Sequence, residues 1–186
     1  VFTVESATLM IGVVVVEAIP YNEFHGVAPA LDVSTDAEIC EALVRIIEVE
    51  GPVLGRRLLE VYARAAGHKL GRRIRERLVA VMKAPEFSRS VVWEDPLNRN
   101  SVMMSTMYLK DTPSSVIRAI GPRDFPSIPP NEIKSLMMQL LHDDYDVTRG
   151  VLYKRVLRFY DRGGKITNNV RVVLDPVYDL IIKEQA

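Results

Sequence analysis

Residues 67–83 read GHKLGRRIRERLVAVMK, and this stretch decides the fold. Placed on a helix at about 100° per residue, Leu70, Ile74, Leu78, Val81 and Met82 fall on one face. Arg72, Arg73, Arg75 and Lys83 project from the rest of the circumference, with Arg77 at the edge of the apolar stripe. Such a helix has a core side and a cationic side. Upstream, residues 53–66 supply a second short amphipathic helix that ends in Ala65-Ala66-Gly67, and Gly67 can take the positive φ of a helix terminus. Two short helices joined by a tight Gly-containing turn, the second rich in arginine, read as a helix-turn-helix.

Working outward, the preceding segment gives a third helix. Thr35 is a candidate N-cap with Glu38 completing a capping box. Ile39, Leu43, Ile46 and Ile47 form its apolar stripe. Gly51-Pro52 ends it, because proline cannot continue the backbone hydrogen bonding. After the basic helix, Pro85 breaks the pattern. Residues 87–93 and 101–108 then read as two strands around the turn EDPLNRN. Three helices followed by a β-hairpin is the winged-helix order, and the class expected is α+β, mostly helical. Trp93 is expected to anchor the core or the hairpin rather than stack on bases.

The chain then begins again. A proline-rich linker over 109–130 leads to Glu132-Ile133, which matches Glu38-Ile39. ITNNVRVVLDPVY at 166–178 lines up with LGRRIRERLVAVM at 70–82. Ile166, Val170, Leu174, Val177 and Tyr178 take the same apolar positions. Two copies imply duplicated domains rather than a solenoid. The expected division is an N-terminal strand and loop over 1–34, a winged-helix-like unit over 35–128 and a reduced second unit over 129–186. In the second copy only Arg171 keeps a basic charge of the first helix's set, Asn168 and Asn169 replace Arg72 and Arg73, and Pro176 is expected to end or kink the helix. The β-branched run at 9–19 reads as a buried strand. Its expected partner is either Val177–Ile182 or the same segment of another chain.

Charge is distributed unevenly. The 186 residues carry 24 basic and 24 acidic side chains, yet residues 1–50 hold nine acids against Arg45 alone. Residues 51–83 hold nine bases against Glu60 and Glu76. Clustering of this kind is the footprint of a nucleic-acid binder; equally, the two segments can neutralise each other in the fold. The candidate nucleic-acid face comprises Arg56, Arg57, Lys69, Arg72, Arg73, Arg75, Lys83 and Arg99. DNA is the expected partner, with RNA not distinguished from it. The alternative is a protein-interaction or oligomerisation module, in which residues 1–50 dock a partner or a second copy of the chain to give a homodimer.

Catalytic chemistry has no support in the sequence. Gly164-Lys165 is followed by Ile166, and Phe159 stands where a phosphate-binding loop needs its first glycine. His25, His68 and His142 lack metal-ligand spacing with Cys40. The run His142-Asp143-Asp144-Tyr145-Asp146 reads as a solvated helix end before it reads as a cation site. No cofactor, metal or enzymatic activity is expected. The single cysteine, expected to be buried, and the absence of a targeting or membrane-spanning run point to a cytoplasmic setting.

The residues Ile46-Ile-Glu-Val-Glu-Gly-Pro-Val53, Gly71-Arg-Arg-Ile-Arg75, Val92-Trp93, Val116-Ile-Arg118 and Ile128-Pro-Pro-Asn-Glu-Ile133 occur in that order. Together they resemble the uncharacterised winged-helix-like domain at the C-termini of large bacterial superfamily 1 helicase-like proteins. The resemblance covers residues 38–133. It implies a unit that accompanies an ATPase, and in some members a nuclease-like segment, as an accessory part of a helicase-type or restriction/repair system.

Overall fold

The computed structural model describes residues 8–11, 14–142 and 147–185, with side chains from Val16 onward. In chain order the elements are β1 (Thr8–Ile11), β2 (Val14–Glu17), α1 (Asp36–Glu50), β3 (Val53–Leu54), α2 (Gly55–Ala65) and α3 (Arg72–Met82). They continue with α4 (Pro85–Ser90), β4 (Val91–Glu94), β5 (Thr106–Leu109), α5 (Pro130–His142), α6 (Arg149–Phe159) and α7 (Asn168–Gln185). The fold is α+β and mostly helical. It divides into a unit of residues 22–114 and a discontinuous one made from the chain up to Tyr21 and from Ser115 onward. These limits differ from the expected 1–34, 35–128 and 129–186. The loop after Tyr21 is tied to α1 and α2 by Glu23 and Phe24, while Ile117 and Ala119 bond to Ile19.

In the 22–114 unit, α1 starts where the capping box predicts. The Glu38 amide donates to Thr35 Oγ1 at 3.3 Å and the Thr35 amide to Glu38 Oε2 at 2.8 Å, an arrangement that holds the Glu38 carboxyl below its usual range. Ile39, Leu43, Ile46 and Ile47 are buried. After Pro52 the chain makes the short strand β3 and turns straight into α2 at Gly55. A Cβ there would stand 2.1 Å from the Val102 carbonyl oxygen, so the close backbone approach requires glycine. Leu58, Leu59, Val61 and Tyr62 bury one face of α2; Leu78, Val81 and Met82 bury one face of α3. Leu70 and Ile74 are only partly buried against this core, and Cys40 is half-buried rather than enclosed.

The three strands form one antiparallel sheet in the order β3-β5-β4, with Val53 opposite Met107 and Trp93 opposite the same residue on the other side. Trp93 lies half-buried, edge-on to Phe87 with ring centroids 6.2 Å apart. The expected strand at 87–93 is mostly helix. Pro85 occupies the first turn of α4, where its missing amide costs nothing, and strand geometry begins only at Val91. The expected strand at 101–108 likewise starts at Thr106, after a 3-10 turn over Val102–Met104.

In the other unit, β1 and β2 pair with each other, Thr8 opposite Glu17 and Ile11 opposite Val14. The apolar run therefore folds back on itself and does not pair with Val177–Ile182, which is helical. Helix α5 packs on α6 and α7 through a core that includes Ile133, Leu136, Val156, Leu157, Leu174 and Val177. Pro176 does not end α7, which runs on to Gln185; packing of Leu174, Val177 and Ile181 holds the helix through the missing bond. Glu132 lies buried on α5, accepting from Arg118 Nη2 at 3.0 Å and from Arg123 Nη1 at 2.8 Å. The Tyr21 ring stacks under the Arg123 guanidinium at 4.3 Å.

The turns after α2 and α6 share one hydrogen-bond pattern. Ala66, Gly67 and His68 donate to the carbonyls of Tyr62, Arg64 and Ala63; Tyr160, Asp161 and Arg162 donate to those of Val156, Arg158 and Leu157. Gly67 at φ 73° and Asp161 at φ 54° hold the same left-handed position. Arg75 bonding to Gly71 and Arg171 bonding to Thr167 open the following helices alike, each at 3.0 Å.

Candidate nucleic-acid interface

The eight expected contact residues separate once their partners are known. Arg57 leaves the set. The residue is 8% exposed, and its Nε donates at 2.9 Å to Glu50, a residue with no exposure at all. Glu50 also accepts from the Phe24 amide at 3.0 Å, and Glu23 lies 3.6 Å from the same guanidinium. Arg57 is thus a structural cation that joins α2 to α1 and the loop before it. Helical periodicity cannot show this, because Glu50 sits beyond the break at Pro52.

Arg56 is only partly exposed and pairs with Glu60 one turn along α2 at 3.3 Å. Arg72 pairs with Glu76 at 2.8 Å and Arg73 with Asp32 at 3.6 Å, with side-chain exposures of 90% and 93%. Ion pairs this exposed contribute at most about 1 kcal/mol and open readily. Lys69, Arg75 and Lys83 are exposed and have no ion-pair partner among the described residues. Arg99, in the β4–β5 connection, is half-buried rather than solvent-facing. The expected surface therefore contracts to Lys69, Arg72, Arg73, Arg75 and Lys83, carried on α3 and the turn before it.

Beside α3 a cleft of ≈ 320 Å³ is lined by Leu31, Asp32, Ser34, Arg73, Ile74 and Arg77. Asp36 pairs with Arg77 here. Together with Glu23 on Arg64 and Glu50 on Arg57, the acidic first quarter of the chain does neutralise part of the basic segment. The Arg64 hydrogen bond holds the Glu23 carboxyl below its usual range. On the hairpin, Tyr108 donates to Glu94, which pushes its phenol up to about 12.

Among the described residues no group of three His, Cys, Asp or Glu side chains is placed to hold a metal ion. Asp143, Asp144, Tyr145 and Asp146 of the expected carboxylate run lie outside the described residues. No helix of the described residues is long and apolar enough to cross a membrane. No protein family, curated protein or solved structure matches the chain.

Proposed function

We propose that residues 22–114 form a winged-helix-like, non-catalytic nucleic-acid-binding module whose α3 meets the phosphate backbone, with DNA as the favoured partner. The observation that carries this reading is the exposed cationic face of α3: Arg72, Arg73, Arg75 and Lys83, with Lys69 in the turn before it. The order α1-β3-α2-α3-α4, then β4 and β5 with β3 closing the sheet on β5, supports it, with α3 read as the second helix of a helix-turn-helix. The matching turns after α2 and α6 support a duplicated origin for the α5–α7 unit. If a helicase is involved, as the resemblance implies, its motor lies elsewhere, because this sequence carries no phosphate-binding loop.

Binding is then chiefly electrostatic. Each phosphate neutralised on duplex DNA contributes a slope of about −0.9 to log affinity against log salt. Changing Arg72 and Arg73 together to Ala should flatten that slope by up to about 2, with the fold intact because neither side chain touches the core. Fluorescence anisotropy with labelled duplex and single-stranded DNA between 50 and 200 mM salt measures it. No binding at the lowest salt would remove the reading. A protein-interaction module is the second reading. Asp32 and Asp36 already sit on Arg73 and Arg77, so this face accepts carboxylates; retained capture of an acidic peptide without nucleic-acid binding would favour it.

A further inference from the structure

We infer that the α6–α7 turn is a second nucleic-acid contact surface in the same chain, a site that binds phosphate backbone through Lys154, Arg158, Arg162, Lys165 and Arg171. Residues 149–171 contain seven Lys or Arg and one acid, Asp161. Alignment of α7 with α3 hides this density, because the charges have moved from the second helix of the pair onto the first helix and the turn.

The five side chains are exposed, and none has an ion-pair partner among the described residues. Arg149 is different: it is held by Asp175 at 2.8 Å and stacks 4.7 Å from the Tyr178 ring centroid, so it belongs to the packing of α6 on α7. Lys154 and Arg158 stand one turn apart on α6, neighbours on the helix surface that repel each other. Arg162 extends the row past the helix end, its amide bonded back to Leu157 at 2.8 Å. Gly163 and Gly164 follow at φ 67° and 75°, and nothing but the Arg158 guanidinium comes within 4 Å of a Cβ placed on either. The glycines answer to backbone conformation rather than to crowding, so the turn is open to an approaching ligand. A row of like charges with no direct ion pair, offset only by Asp161 in the turn and by Asp175 one helical turn beyond Arg171, fits a polyanion, which supplies regularly spaced phosphates at low cost in geometry. The turn is also the structural counterpart of the one before α3, so the inference rests on the nucleic-acid reading of that helix.

The test uses the whole chain in two variant sets. One carries Arg158→Ala, Arg162→Ala and Lys165→Ala; the other carries Arg72→Ala, Arg73→Ala and Arg75→Ala. Each is titrated by anisotropy against a labelled 30-base-pair DNA duplex, and against a single strand of the same length, at several salt concentrations. The first set should flatten the salt slope on the duplex by about 2–3, and Arg158→Lys with Arg162→Lys should restore the wild-type slope, since phosphate contacts count charge. Far-UV circular dichroism melts verify that both sets remain folded. A slope unchanged in the first set but flattened in the second overturns this inference and leaves the reading of α3 standing. The reverse pattern assigns the binding to α6–α7 alone, and a wild-type chain that binds neither probe overturns both. A larger loss on the single strand than on the duplex would make single-stranded nucleic acid the ligand of this turn.

Discussion

Replacing Glu50 with Ala removes the one fully buried carboxylate of the 22–114 unit and leaves the Arg57 guanidinium inside it. Breaking a buried ion pair from one side costs about 3–5 kcal/mol, because the remaining charge is desolvated without its partner. Two features of the structure fix where in that range the change should fall. Glu23 stands 3.6 Å from Arg57 and stays to offset part of the loss. The Phe24 amide, bonded to Glu50 at 3.0 Å, loses its acceptor as well and adds to it. The expected destabilisation is about 3–4 kcal/mol. Trp93 is the only tryptophan in the chain and lies in this unit, so urea unfolding followed by its fluorescence reports on this unit rather than on the other. With a slope of about 1 kcal/mol/M in urea, the midpoint should fall by about 3 M. Glu50→Met combined with Arg57→Met should recover most of the loss, since apolar replacement of both partners is often neutral or better. A Glu50→Ala midpoint shifted by less than about 1 M, or no recovery in the double variant, would refute the assignment of Arg57 as a structural cation and return it to the candidate interface.

Two further outcomes follow from the packing and the electrostatics. Leu78 is completely buried on the inner face of α3, so Leu78→Ala should cost about 2–5 kcal/mol by the same fluorescence measurement; near-wild-type stability would mean that the two faces of α3 are reversed. In the other unit, hydrogen bonding by Tyr153, reinforced by Arg149, holds the Asp175 carboxyl below its usual range. A depressed folded-state pKa contributes stability that is complete above the unfolded value and is lost as pH falls through the folded one. The melting temperature read by circular dichroism should therefore decline below about pH 4, and Asp175→Asn should make that decline shallower while lowering stability at neutral pH.

Much of the 22–114 unit is legible because its signals are local. The Thr35–Glu38 box, the stop at Pro52 and the apolar stripe of α1 each lie within a few residues and match the structure; the stripe of α3 holds at Leu78, Val81 and Met82, whereas Leu70 precedes the helix and Ile74 is only partly buried. What fails is what depends on distant partners. Pro85 ends α3 and also starts α4, and nothing in residues 85–90 alone decides between a helix and an early strand. The run at 9–19 announces extended structure but not its partner, and the partner proves to be itself. Pro176 breaks helices by rule, yet buried Leu174, Val177 and Ile181 outweigh one absent hydrogen bond. The candidate site shows the same limit. Exposure of Arg72, Arg73, Arg75 and Lys83 follows from the helical wheel, whereas the burial of Arg57 depends on Glu50 and Glu23 from other elements. The cations of α6 were present in the sequence as plain density between Lys154 and Lys165.

A formal charge of zero gives little guidance to such a surface, because pairing inside the fold sorts the charges before any ligand meets them. Arg57 is committed to the buried Glu50, and Arg64, although exposed, is paired with Glu23 in the loop before α1. Arg73 and Asp32 meet in solvent, so a phosphate on Arg73 displaces Asp32, which then gathers its own counterion. On the proposed reading, that exchange cancels part of the counterion release which drives association. Lys69, Arg75 and Lys83 involve no such displacement. Each should therefore contribute more per charge to the salt dependence than Arg73 does, although all four lie on or beside the same helix. On this reading the strength of the proposed interface is set less by the number of arginines on α3 than by which of them, like Arg73, the acidic segment before α1 has already engaged.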